Sequence, residues 1–376
     1  MNEIERFIIN KLEVRNEDLS IRKLITSFPP VDFCSNDYLG FARSVELKKL
    51  IEEQLNLVKD YRNGSGGSRL LSGNTAYVEE TEQFIADFHQ AESGLIFNSG
   101  YDANIGLLSC IPQRGDTIIT DELIHASLID GCRLSYATRY KFLHNNLADL
   151  EDKLKISKGN IFVVIESVYS MDGDFAPLKE ISLLCEKHGA ALIVDEAHAT
   201  GIFGEHGKGL VNYFNLENKV FARIVTFGKA LGMHGAIVLG KKIVRDYLIN
   251  FARSFIYTTA APIHNIISVK CAYLLLKETD NTLILNKIKL FTNLINKNSV
   301  NALDSQSAIQ GVLFSSNAET KTAASNLQSK GFDVRAILSP TVPAGKERLR
   351  ICLHSYNADE EIKSLIKNLK EIQNNG

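Results

Sequence analysis

The chain has 376 residues, of which 42 are Lys or Arg and 44 are Asp or Glu, and 45% are hydrophobic. This length predicts one large α/β domain with a smaller appendage, or two to three domains. The near-balanced charge provides neither the basic surface that binds nucleic acid nor a polybasic membrane patch, so it argues against both partners.

The cysteines indicate a reducing compartment, because they are scattered and form neither a C-x-x-C pair nor a zinc-type spacing with histidine. They are expected to be free thiols: Cys34, Cys110, Cys132, Cys185, Cys271 and Cys352. The charged, amphipathic N-terminus does not resemble a secretory signal, and no apolar stretch reaches the ~20 residues of a membrane span. The sequence therefore predicts a cytoplasmic protein.

In chain order, residues 1–35 predict an N-terminal helical arm and residues 36–255 a large domain. Seven apolar, β-rich runs alternate with helical patterns in the large domain: LIFNS (95–99), TIITD (117–121), YKFLH (140–144), IFVVIESV (161–168), ALIVDEA (191–197), RIVTF (223–227) and GAIVLG (235–240). This alternation predicts a mainly parallel seven-stranded sheet with helices on both faces. Residues 256–376 predict a linking helix, beginning near Pro262, and a small α+β C-terminal domain.

Polar residues follow the predicted strands at their carboxyl ends, where open α/β sheets bind ligands. Asp195 and His198 follow one strand. Glu166 and Ser170 follow a second, and His125 follows a third. These side chains are therefore candidates for a shared site.

A fourth strand is followed by Ser99, Gly100 and Tyr101 at the predicted start of a helix. Backbone N–H groups at a helix N-terminus, with the helix dipole behind them, favour a phosphate, and Gly100 allows close approach. The alternative is a simple N-cap by Ser99.

The stretch TFGKALGMHGA (226–236) places one lysine between two predicted buried strands. Partial desolvation there would disfavour the ammonium form of Lys229 and leave a nucleophilic amine suited to Schiff-base chemistry. The alternative is a lysine whose stem packs while its amine reaches water.

Three other functions are indicated only by partial motifs. DEAH (195–198) resembles a helicase box, but the phosphate loop G-x-x-x-x-G-K-[ST] is missing. GSGGSRLLSG (64–73) resembles a dinucleotide loop, yet Arg69 occupies the third glycine position and no apolar strand precedes it. Asp195, Glu196, His198 and His206 do not complete a metal ligand set. The sequence thus argues against a nucleotide hydrolase, a dehydrogenase and a metal site.

Pyridoxal phosphate (PLP) requires an amine for its aldehyde, a carboxylate for its ring nitrogen, an anion cradle and a partner that stacks on the ring. All four parts are present in the sequence. Asp195 ends one predicted strand and Lys229 follows the next, so the two side chains can converge on one ligand.

The chain resembles the α-oxoamine synthase family of fold-type I PLP enzymes from SNDYLGF to TVPAGKERLRICLH, which is most of its length. The matching motifs run in the order of the family: SNDYLG, GSGGSRLLSG, FNSGYDAN, DELIHASLIDG, ESVYSMDGDFAPL, DEAHATGIFGEHGKG, TFGKALG, FIYTTAAP and PTVPAGKERLR. The resemblance implies a fold-type I PLP-dependent transferase that works as a homodimer with shared active sites.

The resemblance also implies roles around the cofactor ring. Lys229 would bond the aldehyde, Asp195 would pair with the pyridine nitrogen and His125 would stack on the ring, and these three are the predicted catalytic residues. His198, helped by Ser170, would hydrogen-bond the phenolic oxygen.

The remaining cofactor contacts implied by the resemblance are to the phosphate. Gly100, Tyr101 and Thr226 would lie against it. Thr258 or Thr259 would reach in from a second subunit.

On the substrate side, the resemblance assigns Arg350 to the carboxylate of the amino acid and places Asn36 nearby. Arg22, in the N-terminal arm, is a candidate partner for the far carboxylate of a pimeloyl chain. The alternatives are an exposed strand arginine at 350 and an exposed helical arginine at 22.

The implied reaction is the condensation of an amino acid with an acyl-CoA thioester. Lys229 removes the Cα proton, the cofactor stabilises the resulting carbanion as a quinonoid, the carbanion attacks the thioester, and CoA and carbon dioxide leave. The motif wording favours the biotin-synthesis branch, which joins L-alanine to pimeloyl-CoA or a pimeloyl carrier protein.

Within the family, 2-amino-3-ketobutyrate CoA ligase, 5-aminolevulinate synthase and serine palmitoyltransferase stay open as alternatives. Tyr101 and His234 depart from the residues that are common at their positions, which leaves substrate specificity open. A non-enzymatic PLP-binding role is disfavoured because Lys229, Asp195, His125 and Arg350 are all retained.

Overall fold

The computed structural model describes residues 2–59 and 61–375. Its strands are β1 Val31–Asp32, β2 Ser93–Phe97, β3 Thr117–Asp121, β4 Thr138–Phe142, β5 Ile161–Glu166, β6 Ala191–Asp195, β7 Ala222–Thr226, β8 Ala236–Gly240, β9 Ile309–Leu313, β10 Phe332–Asp333, β11 Arg335–Ile337 and β12 Arg348–Cys352.

The α-helices lie between and around these strands. They are α1 Glu3–Glu17, α2 Val45–Asn56, α3 Ala76–Phe88, α4 Gly100–Cys110, α5 Ala126–Leu134, α6 Leu147–Ile156, α7 Leu178–His188, α8 Leu210–Tyr213, α9 Lys242–Phe251, α10 Arg253–Ile256, α11 Ile263–Glu278, α12 Thr282–Asn298, α13 Asn317–Ser329 and α14 Asp359–Asn375. None of the helices in the described residues is long and apolar enough to cross a membrane.

The chain divides into two compact units. The larger unit comprises Asn36–Ser170 and Phe175–Thr282, and the smaller comprises Met1–Ser35, Met171–Asp174 and Leu283–Gly376. The predicted boundary at 255 differs from this division. Helix α11 belongs to the larger unit, because it buries Ile267, Tyr273 and other side chains in that unit's core.

A seven-stranded sheet forms the centre of the larger unit, in the order β2-β8-β7-β6-β5-β3-β4. The five strands from β7 to β4 are parallel, while β8 runs antiparallel to both β7 and β2. All seven predicted strands are present, and the predicted mainly parallel sheet is confirmed.

Both faces of this sheet are covered, which explains its continuous apolar runs. Successive residues of a strand point to opposite faces. Accordingly, Ile224 packs in one core cluster, whereas Val225 beside it packs in the other.

The smaller unit contains two small sheets. Strands β11, β12 and β9 form an antiparallel sheet in that order, and β1 pairs with β10 in parallel. Within the predicted N-terminal arm, the helix ends at Glu17, and Leu19 has a positive φ of 56°. The segment that follows is therefore not helical until β1.

A buried carboxylate holds the edge strand β2 of the large sheet. Glu82 is 2% exposed, and its Oε1 accepts the backbone N–H of Ile96 at 2.8 Å. Its side chain also pairs with Arg69 and, at 3.0 Å, with Arg245. Arg245 in turn donates to the carbonyl oxygen of Gly94 at 3.0 Å.

Removing this carboxylate should be costly, because two largely buried guanidinium groups would lose their buried ionic partner and the backbone N–H of Ile96 would lose its acceptor. We expect Glu82→Ala to lower the free energy of unfolding by about 3–5 kcal/mol, measured by urea denaturation. Glu79→Ala is the matched control, since Glu79 contacts the same two arginines but its side chain is 45% exposed. Glu79→Ala should lower the free energy of unfolding by less than about 1 kcal/mol. Equal decreases for the two variants would contradict the special role of the buried Glu82.

Candidate active site

A cavity of about 300 Å³ opens at the carboxyl ends of the parallel strands in the larger unit. Three of its lining residues, Glu166, Asp195 and Thr226, are the last residues of the adjacent strands β5, β6 and β7. Glu166 and Asp195 are direct neighbours in the register of the sheet. The cavity therefore lies where open α/β sheets bind ligands.

Asp195, the last residue of β6, is held in place by two hydrogen bonds. It is 5% exposed, and its Oδ2 accepts a hydrogen bond from Asn104 Nδ2 at 2.9 Å. Its Oδ1 accepts the backbone N–H of Ala197, also at 2.9 Å. Both oxygens are thus fixed by donors, an arrangement that suits a carboxylate.

Glu166 lies beside Asp195 but in a different state. It is 2% exposed, and its Oε1 has no hydrogen-bond partner in the structure. Burial raises the pKa of Glu166 well above its usual value, and the neighbouring Asp195 raises it further. The backbone N–H groups of His125 and Ser170, together with the Lys229 ammonium, oppose this rise. Glu166 therefore holds its proton more tightly than an ordinary glutamate.

Lys229 enters the cavity from the turn between β7 and β8. It is half-buried, and its Nζ lies 3.4 Å from Oγ1 of Thr226. The turn closes on itself through the Gly232 N–H, which donates to the Lys229 carbonyl oxygen at 2.9 Å. The lysine is thus fixed at its backbone, while its amine lines the cavity.

Helix α4 presents its N-terminus to the same cavity. Ser99 caps the helix by accepting the Asp102 N–H at 3.0 Å, as the simple N-cap alternative expects. Gly100 also meets a steric requirement, since a Cβ there would lie 2.6 Å from Cγ2 of Thr226. The first turn therefore combines a capped helix end with a close approach to the strand end, and the cap does not exclude an anion site.

Two histidines line the cavity. His125 precedes helix α5, and its Nδ1 lies 2.7 Å from Ser127 Oγ. Partial loss of hydration lowers the pKa of His125, and the Lys229 ammonium lowers it further, whereas Asp195 acts in the opposite direction. His198 is 6% exposed, and its Nδ1 lies 2.7 Å from the hydroxyl oxygen of Tyr38. Tyr38 also donates to Oδ1 of Asn36 at 3.1 Å.

The structure brings most of the predicted site residues into this one cavity. Eight of them line it: Asn36, Gly100, Tyr101, His125, Asp195, His198, Thr226 and Lys229. The hydroxyl of Tyr101 donates to Asp130 Oδ2 at 2.7 Å. Ser170 is 7% exposed and lies after β5, near Glu166.

Thr258 and Thr259 line a different cavity of the larger unit. Asn98 Nδ2 donates to the hydroxyl of Thr258 at 3.0 Å and to the carbonyl oxygen of Thr259 at 2.9 Å. Within one copy of the chain, these threonines are therefore not part of the Lys229 cavity.

The two predicted substrate arginines belong to the smaller unit. Arg350 lies on β12 and donates from Nη1 to Sγ of Cys352 at 3.0 Å. Arg22 is exposed and lies in the non-helical segment after α1, so it is not the helical arginine considered from the sequence. Their roles toward a substrate stay predictions.

Sequence reasoning assigned no role to three residues of the site. Asn104 faces Asp195 because it lies one helical turn after Gly100, a spacing that could have revealed it. Tyr38 lies within the motif SNDYLG. Glu166 ends a predicted strand, but only the register of the sheet shows that it lies beside Asp195.

The residues of the cavity fit pyridoxal phosphate. Lys229 supplies an amine, Asp195 a fixed carboxylate and His125 an imidazole ring. The first turn of α4 supplies backbone N–H donors, and the absence of a Cβ at Gly100 leaves space beside Thr226. A cavity of this size is also within the usual range for small-ligand sites.

Comparison with known proteins also indicates the family to which the chain belongs. Residues 29–369 match the family model of aminotransferase class I and II. The 8-amino-7-oxononanoate synthase of Emericella nidulans is 44% identical, in an alignment that covers 94% of this chain and 92% of that protein.

Solved structures share the fold over nearly the whole chain. The 8-amino-7-oxononanoate synthase of Francisella tularensis has a TM-score of 0.80 and 28% identity, covering 92% of this chain and 98% of that one. A serine palmitoyltransferase from S. paucimobilis, solved with bound PLP, has a TM-score of 0.90 at 24% identity and covers 100% and 99% of the two chains. The predicted fold-type I architecture is confirmed.

The raised pKa of Glu166 has a consequence for stability. In the unfolded chain this carboxyl ionises near its ordinary pKa of 4.5, whereas burial and the neighbouring Asp195 raise its pKa in the folded protein. Above pH 4.5 the unfolded state therefore binds fewer protons than the folded state, so this group lowers the free energy of unfolding as the pH rises. The neutral variant Glu166→Gln should gain stability relative to the parent protein as the pH rises above 4.5.

The measurement is urea denaturation at a series of pH values. Glu180→Gln, which changes an exposed glutamate on α7, is the control and should keep a constant offset from the parent. Parallel pH profiles for Glu166→Gln and the parent protein would show that Glu166 ionises normally.

Proposed function

The chain belongs to the aminotransferase class I and II family and, within it, to the α-oxoamine synthases, and we propose that it joins L-alanine to a pimeloyl thioester. The products are 8-amino-7-oxononanoate, for biotin synthesis, carbon dioxide and the free thiol of CoA or a carrier protein. The observation that carries this proposal is the 44% identity, over 94% of the chain, to a protein named for that reaction.

The cofactor of this enzyme is pyridoxal phosphate, and when bound it supplies the electron sink for loss of the Cα proton of the amino acid. Lys229 would hold its aldehyde, Asp195 its ring nitrogen and the first turn of α4 its phosphate. His125 would lie against the ring.

Asp195 provides the fixed negative charge of the site. Its two oxygens already accept hydrogen bonds from Asn104 and Ala197, so the carboxylate keeps one orientation. A preorganised charge of this kind stabilises a cation without reorganising during the reaction. The raised pKa of Glu166 disfavours a second negative charge beside it.

Lys229 is the group that moves the proton. The free amine Nζ would lie near the end of β7, because the surrounding turn is closed by hydrogen bonds. From there Nζ can take the Cα proton and hold it. Thr226 Oγ1, 3.4 Å away, can accept a hydrogen bond from the resulting ammonium.

We also propose a homodimer in which Thr258 and Thr259 of one copy complete the phosphate site of the other. The proposal is supported by their position in a cavity separate from that of Lys229 within one copy. A cytoplasmic location is consistent with the six cysteines, which form no disulfide bond within the described residues.

The assignment of Lys229 can be tested by trapping. Borohydride reduction of the PLP-loaded protein, followed by peptide mapping, should leave the cofactor attached to Lys229, because this lysine lines the cavity beside Thr226. Lys229→Ala should show no such label, and Lys208→Ala, which removes a lysine outside this cavity, should be labelled like the parent. Label on any other lysine would overturn the assignment.

The substrates can be tested by following thiol release from a panel of thioesters. L-alanine with pimeloyl-CoA, or with a pimeloyl carrier protein, should be the productive pair. Glycine with acetyl-CoA and L-serine with palmitoyl-CoA represent the alternative branches, and Lys229→Ala is the inactive control. Turnover of an alternative pair without turnover of L-alanine and pimeloyl thioesters would reject the biotin assignment while leaving the family chemistry in place.

A further inference from the structure

Tyr38 lies behind the cavity and touches two residues that line it. Its side chain is fully buried, with 0% exposure. The hydroxyl oxygen lies 2.7 Å from Nδ1 of His198, and the hydroxyl donates to Oδ1 of Asn36 at 3.1 Å. One phenol therefore joins Asn36, predicted on the substrate side, to His198, predicted on the cofactor side.

A phenol has only one proton to donate, although its oxygen can also accept. When the proton of Tyr38 points to Oδ1 of Asn36, the short contact with His198 requires that Nδ1–H of His198 be the donor. The Nε2 atom of a neutral His198 then carries a lone pair and acts as an acceptor.

The opposite arrangement carries the same number of protons. When the Tyr38 proton points to Nδ1 of His198, the imidazole proton resides on Nε2, which becomes a donor. Because Tyr38 is shielded from water, solvent does not offer it a substitute partner, and the choice between the two arrangements is set by its protein neighbours.

We propose that Tyr38 is a positioning residue that couples hydrogen bonding at Oδ1 of Asn36 to the tautomer of His198. When another donor occupies Oδ1 of Asn36, Tyr38 turns its proton to His198, and Nε2 changes from acceptor to donor. The inference rests on the proposed function in one respect: that function places Asn36 on the substrate side of the cavity and His198 on the cofactor side.

Several charged or titratable groups line the same cavity as His198. They are Glu166, Asp195, Lys229, His125 and His234. The experiment must therefore separate the effect of Tyr38 from this shared background, which calls for a second histidine as an internal reference.

His89 provides that reference. Its Nδ1 lies 3.1 Å from the carbonyl oxygen of Lys208, which can only accept, so Nδ1 of His89 carries the proton. Its Nε2 lies 2.9 Å from the hydroxyl of Tyr273, another tyrosine with 0% exposure. Tyr273→Phe is thus a matched control that removes a buried Tyr–His hydrogen bond outside the Lys229 cavity.

The test is ¹⁵N NMR of the full-length protein labelled at histidine, without added cofactor, at a pH of about 8, where ordinary imidazoles are neutral. The His198 signals are assigned with His198→Gln. We expect His198 to show the Nδ1–H tautomer, as His89 does, and Asn36→Ala to shift it toward Nε2–H. Once Tyr38→Phe is present, Asn36→Ala should cause no further shift, and Tyr273→Phe should leave His198 unchanged.

A second readout uses the protein loaded with pyridoxal phosphate. Tyr38→Phe should shift the pH midpoint of the visible cofactor band, while Tyr273→Phe should lower the melting temperature to a similar extent without shifting the midpoint. A purely structural Tyr38 would change only the melting temperature.

The coupling is overturned if His198 carries Nε2–H in the parent protein, or if Asn36→Ala has the same effect with and without Tyr38. An unshifted midpoint in Tyr38→Phe would also overturn it. By contrast, absence of any visible cofactor band in the parent protein would overturn the proposed function, a failure that the cofactor-free NMR experiment distinguishes from a failure of the coupling.

Discussion

Two carboxyl groups end adjacent parallel strands in a poorly hydrated interior, where loss of hydration first, and then repulsion by Asp195, disfavour ionisation of Glu166. Both oxygens of Asp195 accept hydrogen bonds, whereas Oε1 of Glu166 has no hydrogen-bond partner among the described residues. This difference favours the negative charge on Asp195 over a charge on Glu166. The proposed pairing of Asp195 with the cofactor ring nitrogen would use this oriented carboxylate, beside the half-buried amine of Lys229. Asn104 and the backbone N–H of Ala197, in the loop after β6, hold the carboxylate in place.

Much of the fold follows from patterns that the sequence displays openly. Seven apolar, β-rich runs correspond to the seven strands, because strands buried on both faces are composed mainly of apolar residues. The edge strand β4 is the exception, since it exposes Arg139 and Lys141. The convergence of Asp195 and Lys229 is equally predictable, since parallel strands end at the same edge of a sheet. The sequence analysis did not predict the antiparallel direction of β8. The physical reason for this direction is the short connection 227–235, which leads the chain straight back beside β7.

Other features depend on contacts between segments far apart in the chain. The tyrosine of SNDYLG meets His198 across 160 residues of sequence, and no periodicity marks that contact. The sequence pattern predicts α11 as a linking helix and therefore places the boundary before it. The boundary at 282 is clear only from the side chains of α11 that are buried in the core of the larger unit. Residues 171–174 belong to the smaller unit although they follow β5 of the larger one, an excursion that composition does not reveal.

The cluster around Glu82 also bears on how copies of this protein behave in a crowded solution. Strand β2 ends the large sheet, and an edge strand offers unpaired backbone groups to any other extended chain. Here the N–H of Ile96 and the carbonyl oxygen of Gly94 are occupied by the side chains of Glu82 and Arg245. The ionic cluster thus covers an edge that could otherwise template strand addition. Substitutions at Glu82 or Arg245 would therefore expose this edge and favour aggregation. Selection against aggregation would oppose such substitutions even where the cell could tolerate the loss of stability.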